Sequence, residues 1–441
     1  MGIQLIGPVD IHSSSTFRDR IHEIESEFFF LLLTPNVPLL GEYACERMVQ
    51  VAKDSGAAMV YSHYQEIKKG LRSNHPVNDY QSGSVRDDFD FGPLVLLRTE
   101  AVRSAMESEA VAYRYAGWYD LRLKLSQQHP LLHLDEYLYT IEEKDERSTD
   151  EKMFSYVDPK NRSVQLEMEA ACTQHLKAIG AWLPPHFSTI DLTQGTFPVE
   201  ATVVIPVRNR ARTIADAIQS VLSQEADFAF NLIVVDNHST DGTTAIVAQW
   251  AAKDRRIVHL LPEREDLGIG GCWNMGVQHP QCGRFVLQLD SDDVYSGPDT
   301  ISRIVKGFYE QQCAMLVGSY RMTDIHWNTL PPGVIDHKEW TAENGRNNAL
   351  RINGLGAPRA FFTPLLRRIK VPNTSYGEDY ALGLQFSRHW HLGRIYDVLY
   401  LCRRWEDNSD AAIDLVRLNA NNAYKDKLRT LEIEARKSIN H

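Results

Sequence analysis

The 441-residue chain is poor in cysteine, has no long hydrophobic run and carries no excess of positive charge, and each shortage excludes something. Its six cysteines (Cys45, Cys172, Cys272, Cys282, Cys313, Cys402) stand far apart, with no C-x-x-C pair and no histidine at zinc-ligand spacing. A disulfide scaffold and a zinc ribbon are therefore not expected, and the thiols read as reduced and mostly buried. The longest obvious apolar run, Phe28 to Leu33, falls far short of the roughly 20 residues a membrane helix needs. The start, Met-Gly-Ile-Gln-Leu-Ile, lacks a charged lead into an apolar stretch, and Ile6 stands where a myristoylation signal needs Ser or Thr, so the cytoplasm is the expected compartment. With 47 Lys and Arg against 58 Asp and Glu, the net charge of −11 disfavours nucleic acid as a partner. The N-x-S/T matches at Asn161, Asn237 and Asn373 are read as chance.

What is present is an ordinary globular composition, 43% hydrophobic and 24% charged, in a chain long enough for two or three domains. The clearest pattern follows Pro184-Pro185. Ala201 to Ile205 reads as a buried strand, Ile214, Ala217, Ile218, Val221 and Leu222 recur at helical spacing, and Asn231 to Val235 is the next strand. A helical stretch from Thr240 to Trp250 and strands at Ile257 to Leu261 and Phe285 to Leu289 continue the alternation. Such β-α-β order predicts an open, mostly parallel α/β sheet with helices on both faces. Ligands of these sheets bind beyond the carboxyl ends of the strands. That rule gathers Pro206-Val207-Arg208-Asn209, Asp236-Asn237 and Asp290-Ser291-Asp292-Asp293 on one rim.

These segments resemble the inverting family 2 glycosyltransferases of GT-A fold, over about Phe197 to Trp405. The matching pieces are VVIPVRNR (203–210), IVVDNHSTDGT (233–243), the Gly-rich stretch through Asn274 and Gly276, LQLDSDD (287–293), GED (377–379) and RRW (403–405). Each is weak alone; their order and spacing together are specific. The resemblance implies a nucleotide-diphosphate sugar donor, UDP-linked by expectation, and a hydroxyl acceptor. It places Pro206, Val207, Arg208, Asp236, Asn274, Asp290 and Ser291 around the nucleotide-sugar. Carboxylates beside phosphates require a divalent cation between them, so Mn²⁺ or Mg²⁺ is expected on Asp292, with Asp290 nearer the ribose or a metal-bound water. Two acids two residues apart in an extended chain are roughly 6.5 to 7 Å apart at Cα, so ligation by both requires a tight turn. Asp379 is the implied general base, with Glu378 at the start of its helix. Arg404 and Trp405 are expected at the diphosphate or acceptor, and Leu401 replaces the glutamine of processive relatives, so transfer of one or few sugars is expected. The glycines Gly268, Gly270, Gly271 and Gly276 lack the dinucleotide spacing and are expected to let backbone approach the donor.

A search for repeats pairs Phe29–Tyr64 with Phe285–Tyr320 at a constant shift of 256, nine of 36 positions being identical. With gaps, Trp118-Tyr119-Asp120 meets Gly377-Glu378-Asp379, and Glu136 to Tyr139 meets Asp397 to Tyr400. In the first copy Thr34-Pro35-Asn36 replaces Asp290-Ser291-Asp292, Glu143 and Lys144 stand opposite Arg404 and Trp405, and only about 28 residues precede the shared segment. Residues 1–150 are therefore expected to be a degenerate half-domain without a nucleotide-sugar site. Its open uses are holding the acceptor, pairing with the catalytic sheet or forming a homo-oligomer contact. Residues 151–196 read as a connecting helix and linker, 197–405 as the catalytic domain, and 406–441 as a C-terminal helix packed on that domain. The competing function is an inactive sugar-binding or scaffolding descendant; joint retention of Asp236, Asp290, Asp292 and Asp379 favours the enzyme.

Overall fold

In the computed structural model, which describes residues 3–7, 11–107, 111–142, 161–405 and 413–440, the chain folds about two separate sheets. The first unit comprises Met1–Leu183, Leu350–Asn353 and Ile413–His441; the second comprises Pro184–Ala349 and Gly354–Ala412. Glu143 and Lys144 lie outside the described residues.

The first unit runs β1 (Gln4–Ile6), α1 (Ser14–His22), β2 (Phe28–Leu32), β3 (Leu39–Leu40), α2 (Ala44–Ser55), β4 (Met59–Lys68), β5 (Leu71–His75), β6 (Leu94–Arg98), α3 (Thr99–Glu107), α4 (Gly117–Gln128), β7 (Leu131–Glu142) and α5 (Arg162–Ala178). Its strand order is β1-β2-β6-β4-β7-β3, with β5 on β4. The all-apolar β2, and β6 up to its last residue Arg98, are buried on both faces, as central strands between helices require. The C-terminal helix (Leu415–Asn440) belongs to this unit, which corrects the expectation that it packs on the catalytic domain. The physical reason is charge burial: Asp426, fully buried, accepts from Ser84 Oγ at 3.0 Å and pairs with Arg86 at 3.2 Å and Arg429 at 2.8 Å. Gly83 allows the approach, since a Cβ there would lie 2.2 Å from the helix backbone at Asp426 O and Thr430 N.

The second unit runs β8 (Ala201–Val207), α6 (Ile214–Leu222), β9 (Phe230–Asp236), α7 (Thr243–Lys253), β10 (Ile257–Leu260), α8 (Ile269–Gln278), β11 (Phe285–Gln288), β12 (Val294–Tyr295), α9 (Thr300–Gln311), β13 (Met315–Thr323), β14 (Thr329–Ile335), α10 (Gly345–Asn348), β15 (Arg359–Phe362), α11 (Thr363–Ile369), α12 (Glu378–His389) and β16 (Leu392–Arg403). The order is β10-β9-β8-β11-β15-β13-β16-β12, with β14 on β13. Strands β10, β9, β8 and β11 are parallel, as their α-crossovers demand; β15 then enters antiparallel to both neighbours. Alternation along β8 places Val203 and Ile205 in a core with Ile214, Ile218 and Val221, and Val204 in another with Trp273 and Val277, so helices cover both faces.

The two sheets share a frame. The order β2-β6-β4-β7-β3 in the first matches β11-β15-β13-β16-β12 in the second, with the same parallel or antiparallel sense at every step. Helix α2 and strand β4 start 256 residues before α9 and β13. Met59 pairs with Leu131 as Met315 pairs with Leu392, and Tyr64 with Tyr139 as Tyr320 with Tyr400, both ladders slipping just before the tyrosine pair. One sequence match is corrected. Helices α4 and α12 both have 12 residues and start 261 apart, the offset that also holds for β7 and β16. The position facing Asp379 is thus Trp118, and Asp120 falls opposite Ala381, two residues from the sequence match, because nothing in the loop sequences constrains the gap.

Candidate active site

The loops after β8, β9 and β11 meet at the carboxyl rim of the parallel strands, as the β-α-β order requires. The acidic loop is a tight turn, Asp293 N donating to Asp290 O at 3.2 Å, so the backbone there is not extended. Asp290 is fixed from three sides. Gln288 Nε2 donates to both of its carboxylate oxygens at 3.0 and 3.1 Å, and its own N–H is 3.1 Å from Tyr400 Oη. Burial pushes its carboxyl above the ordinary value, and Arg359 pulls the other way. Asp292 is half-buried, with Arg210 Nε at 3.5 Å. Asp293 is spent on structure: it is buried, accepts from Arg403 N at 2.7 Å, and is held well above the carboxylate range by burial and by Asp292 and Asp290. Ser291 contributes its carbonyl, which accepts from Thr213 Oγ1 at 3.0 Å.

Asp379 is the second residue of α12, two residues after Gly377, whose φ of 75° turns the chain into the helix. Its carboxylate pairs with Arg359 Nη1, while Arg359 Nε donates to Gln288 Oε1 at 2.9 Å. A chain of contacts therefore runs Asp290–Gln288–Arg359–Asp379 and joins the acidic turn to the α12 carboxylate. Sequence reasoning missed Gln288 and Arg359. Gln288 had a signal, a polar residue inside the apolar strand FVLQ, whereas a lone arginine opening β15 had none. Glu378 is half-buried with Oε2 lacking a hydrogen-bond partner, and burial together with Asp379 pushes its carboxyl up to about 8.

Other expected residues sit differently. Asp236 is fully buried, accepting from Ser239 N at 3.1 Å and Thr244 Oγ1 at 2.5 Å, so its oxygens organise their own loop; His259 Nε2 lies 3.6 Å away. Beside it Asn237 Nδ2 donates to Leu267 O at 2.8 Å, leaving Oδ1 without a partner. Asn274 clamps Val371, donating to its carbonyl at 2.7 Å and accepting from its N–H at 2.9 Å. The glycines serve that same junction rather than a ligand. A Cβ on Gly268, Gly270 or Gly271 would lie 2.6, 1.8 or 2.3 Å from Thr374 C, Pro372 O or Asn373 Oδ1, and one on Gly276 would lie 2.9 Å from Val204 on β8. Close packing, and not donor approach, is what they permit, and the loop they seat leads into Asp379. Pro206 and Val207 end β8, and Arg208 is exposed just beyond. Of the RRW residues, Arg403 is the buried one, paired with Asp216 at 2.9 Å and stacked on Trp327; Arg404 N donates to Thr323 O at 2.7 Å, and Arg212 lies over the Trp405 ring at 5.1 Å.

No group of three or more His, Cys, Asp or Glu side chains is arranged to hold a metal among the described residues. The donor set at the turn is two carboxylates, which fits a hard divalent ion completing its shell with phosphate oxygens and water. All six cysteines are free, four of them buried.

Residues 202–368 match the model of glycosyl transferase family 2. The chain is 33% identical over 121 residues to the putative teichuronic acid biosynthesis glycosyltransferase TuaG of Bacillus subtilis (strain 168), covering 27% of this chain and 46% of that one. It is 38% identical over 107 residues to the succinoglycan biosynthesis protein ExoO of Rhizobium meliloti (strain 1021), covering 24% and 29%. The chain thus spans less than half the length of either relative. A solved structure of S. aureus TarS 1-349 in complex with UDP-GlcNAc is similar at 24% identity and a TM-score of 0.40, covering 52% of this chain and 70% of that one, which is too loose to carry an argument about ligands. The matched segment 202–368 contains the acidic turn and Arg359, so the similarity to glycosyl transferase family 2 falls on the residues that build this site.

Proposed function

We propose that the second unit transfers a sugar from a nucleotide-diphosphate donor, UDP-linked, to an acceptor hydroxyl with inversion, one or few sugars at a time. The observation that carries this reading is the Asp290–Gln288–Arg359–Asp379 chain, which sets a pair of metal-type carboxylates and a base-type carboxylate on either side of one arginine. Asp292 and Asp290 would hold Mn²⁺ or Mg²⁺, which when bound supplies charge neutralisation to the departing diphosphate. Arg210, already beside Asp292, and the exposed Arg208 add cationic groups on the diphosphate side. The acceptor oxygen forms its bond to the anomeric carbon as the carbon–phosphate-oxygen bond breaks, and its proton passes to the Asp379 carboxylate. Arg359 orients that carboxylate and Glu378, held protonated at neutral pH, keeps a second negative charge away from it.

The base is the less determined part of the donor, because Asp236 is enclosed and Asn237 offers an amide oxygen. Among the described residues no helix is long and apolar enough to cross a membrane. The test is a thermal-shift series with UDP and UDP-sugars, with and without Mn²⁺, followed by turnover. A shift that needs both nucleotide and metal, lost in Asp292→Ala, is the expected result; binding without any turnover would leave the sugar-binding descendant in its place.

A further inference from the structure

The antiparallel pairing of β15 on β11 sets one amide between two charged groups. Phe285, Val286 and Leu287 pair with Phe362, Phe361 and Ala360, so the next step of the ladder brings Gln288 opposite Arg359. Gln288 is 5% exposed, and its backbone is pinned as well, the carbonyl accepting from Tyr295 Oη at 2.9 Å. Its side-chain amide is used at both ends. Nε2 donates to the two carboxylate oxygens of Asp290 at 3.0 and 3.1 Å, and Oε1 accepts from Arg359 N at 3.3 Å and Arg359 Nε at 2.9 Å. Only one orientation works, because turning the amide over would set its oxygen against a carboxylate and its NH2 against a guanidinium.

That orientation decides where Arg359 points. With Nε held by Gln288, Nη1 reaches the Asp379 carboxylate. Asp290 lies on the other side of the same amide, and the Arg359 charge is felt there too, opposing the upward push of burial on its carboxyl. A guanidinium gains most from the carboxylate its fork is aligned with. Without the amide, Arg359 has a second carboxylate to close on, and it is one that the acidic turn offers to a cation.

We propose that Gln288 is a positioning residue that keeps Arg359 on Asp379 and off Asp290, so that the acidic turn stays open to a divalent cation while Asp379 stays aligned for the acceptor. The inference rests on the metal-dependent transfer proposed above. An arginine paired to Asp290 would compete with the cation for the same oxygens, and Asp379 would lose the contact that orients it. One buried amide thus serves binding at the turn and alignment at α12 together.

The experiment is calorimetry of UDP binding by the full chain across a Mn²⁺ series, which follows the cation without turnover. Gln288→Met, which keeps the volume but neither hydrogen bond, is expected to raise the Mn²⁺ half-saturation by about tenfold, the competition of one charge pair. Its kcat should fall by up to about 10²-fold. Arg359→Lys keeps the charge but places it at one tip rather than on a fork held at Nε, so the half-saturation should rise there too. Removing the charge removes the competitor: Gln288→Met combined with Arg359→Gln is expected to return to the half-saturation of Arg359→Gln alone. A merely structural role for Gln288 would give no such recovery. Unchanged Mn²⁺ dependence in either Gln288→Met or Arg359→Lys, or a loss in Gln288→Met that Arg359→Gln does not relieve, overturns the inference. Wild type that binds UDP with no dependence on Mn²⁺ would instead overturn the metal-dependent reading on which it rests.

Discussion

The two units put nearly the same strand order to opposite electrostatic ends. In the N-terminal unit the buried charges are matched at the His75–Glu66 cluster, while buried Asp120 is pushed up despite Lys124. Despite burial, which acts the other way, Asp90 and Glu66 hold His75 up at about 9, and His75 and Lys68 hold Glu66 down at about 2. In the second unit the buried carboxylates at the strand rim are under-matched: Asp290, Asp293 and Glu378 are all pushed up, burial being the largest cause in each. The difference teaches that fold alone does not mark the working copy. A rim that carries more buried acids than cations has a site's electrostatics, whereas a cluster of closed ion pairs serves its own packing.

The largest effects should come from the under-matched side. On the proposed mechanism Asp379→Asn is expected to lower turnover by about 10²–10⁴-fold with metal-dependent UDP binding retained, because the proposed base would be lost while the acidic turn is untouched. Asp120→Asn, in the matched copy, should change turnover by no measurable amount, since Asp120 pairs with Lys124 at 2.7 Å and lies opposite Ala381. Equal losses in both variants would break the comparison. Gly270→Ala drives a Cβ to within 1.8 Å of Pro372 O and displaces the loop that leads to Asp379; steady-state kinetics should show up to about a 10²-fold fall in kcat.

On the matched side the cost is stability rather than rate. Arg429→Ala leaves the buried Asp426 with one guanidinium fewer, and urea denaturation is expected to show a loss of about 3–5 kcal/mol in the N-terminal unit. The smallest effects are changes in Tm of opposite sign, a gain at high pH for one substitution and a loss at low pH for the other. The Glu378 carboxyl rises from an ordinary 4.5 to about 8, so its contribution to stability is full below 4.5 and is lost as pH rises through 8. Glu378→Gln should therefore raise Tm at pH 8.5 and change it little at pH 5. His75 contributes fully below 6.5 and loses its contribution as pH rises through 9, whereas Glu66 contributes fully above 4.5 and loses its contribution as pH falls through 2. His75→Ala should accordingly be most destabilising between pH 4.5 and 6.5. A matching profile in Glu378→Gln would erase the distinction between the units.

Much of this was legible in the residues themselves. The strands at 201–207, 230–236 and 285–288 and the helix at 214–222 follow from apolar runs and helical spacing, which depend only on near neighbours. The acidic turn and the Gly-Glu-Asp opening of α12 are local for the same reason, and a constant shift of 256 was enough to expose the shared frame. The gapped match at Asp120 failed because the intervening loops carry no periodic signal, and helix ends alone determined the register.

Chemistry that depends on approach between distant segments was not legible. That the C-terminal helix carries Asp426 to Arg86, more than 300 residues earlier, follows from no pattern in either segment. Asn274 and the glycines before it look like ligand groups in a line of sequence, yet backbone carbonyls of residues 371–374 stand against them. Arg359 became the link between the acidic turn and Asp379 only because β15 enters antiparallel beside β11. The sequence by itself determined which elements form and which acids lie on the rim, since those are properties of short stretches. The tertiary structure decided which polar groups are spent on packing and which remain short of a cation, because burial and partner distance arise only when segments far apart in the chain come together.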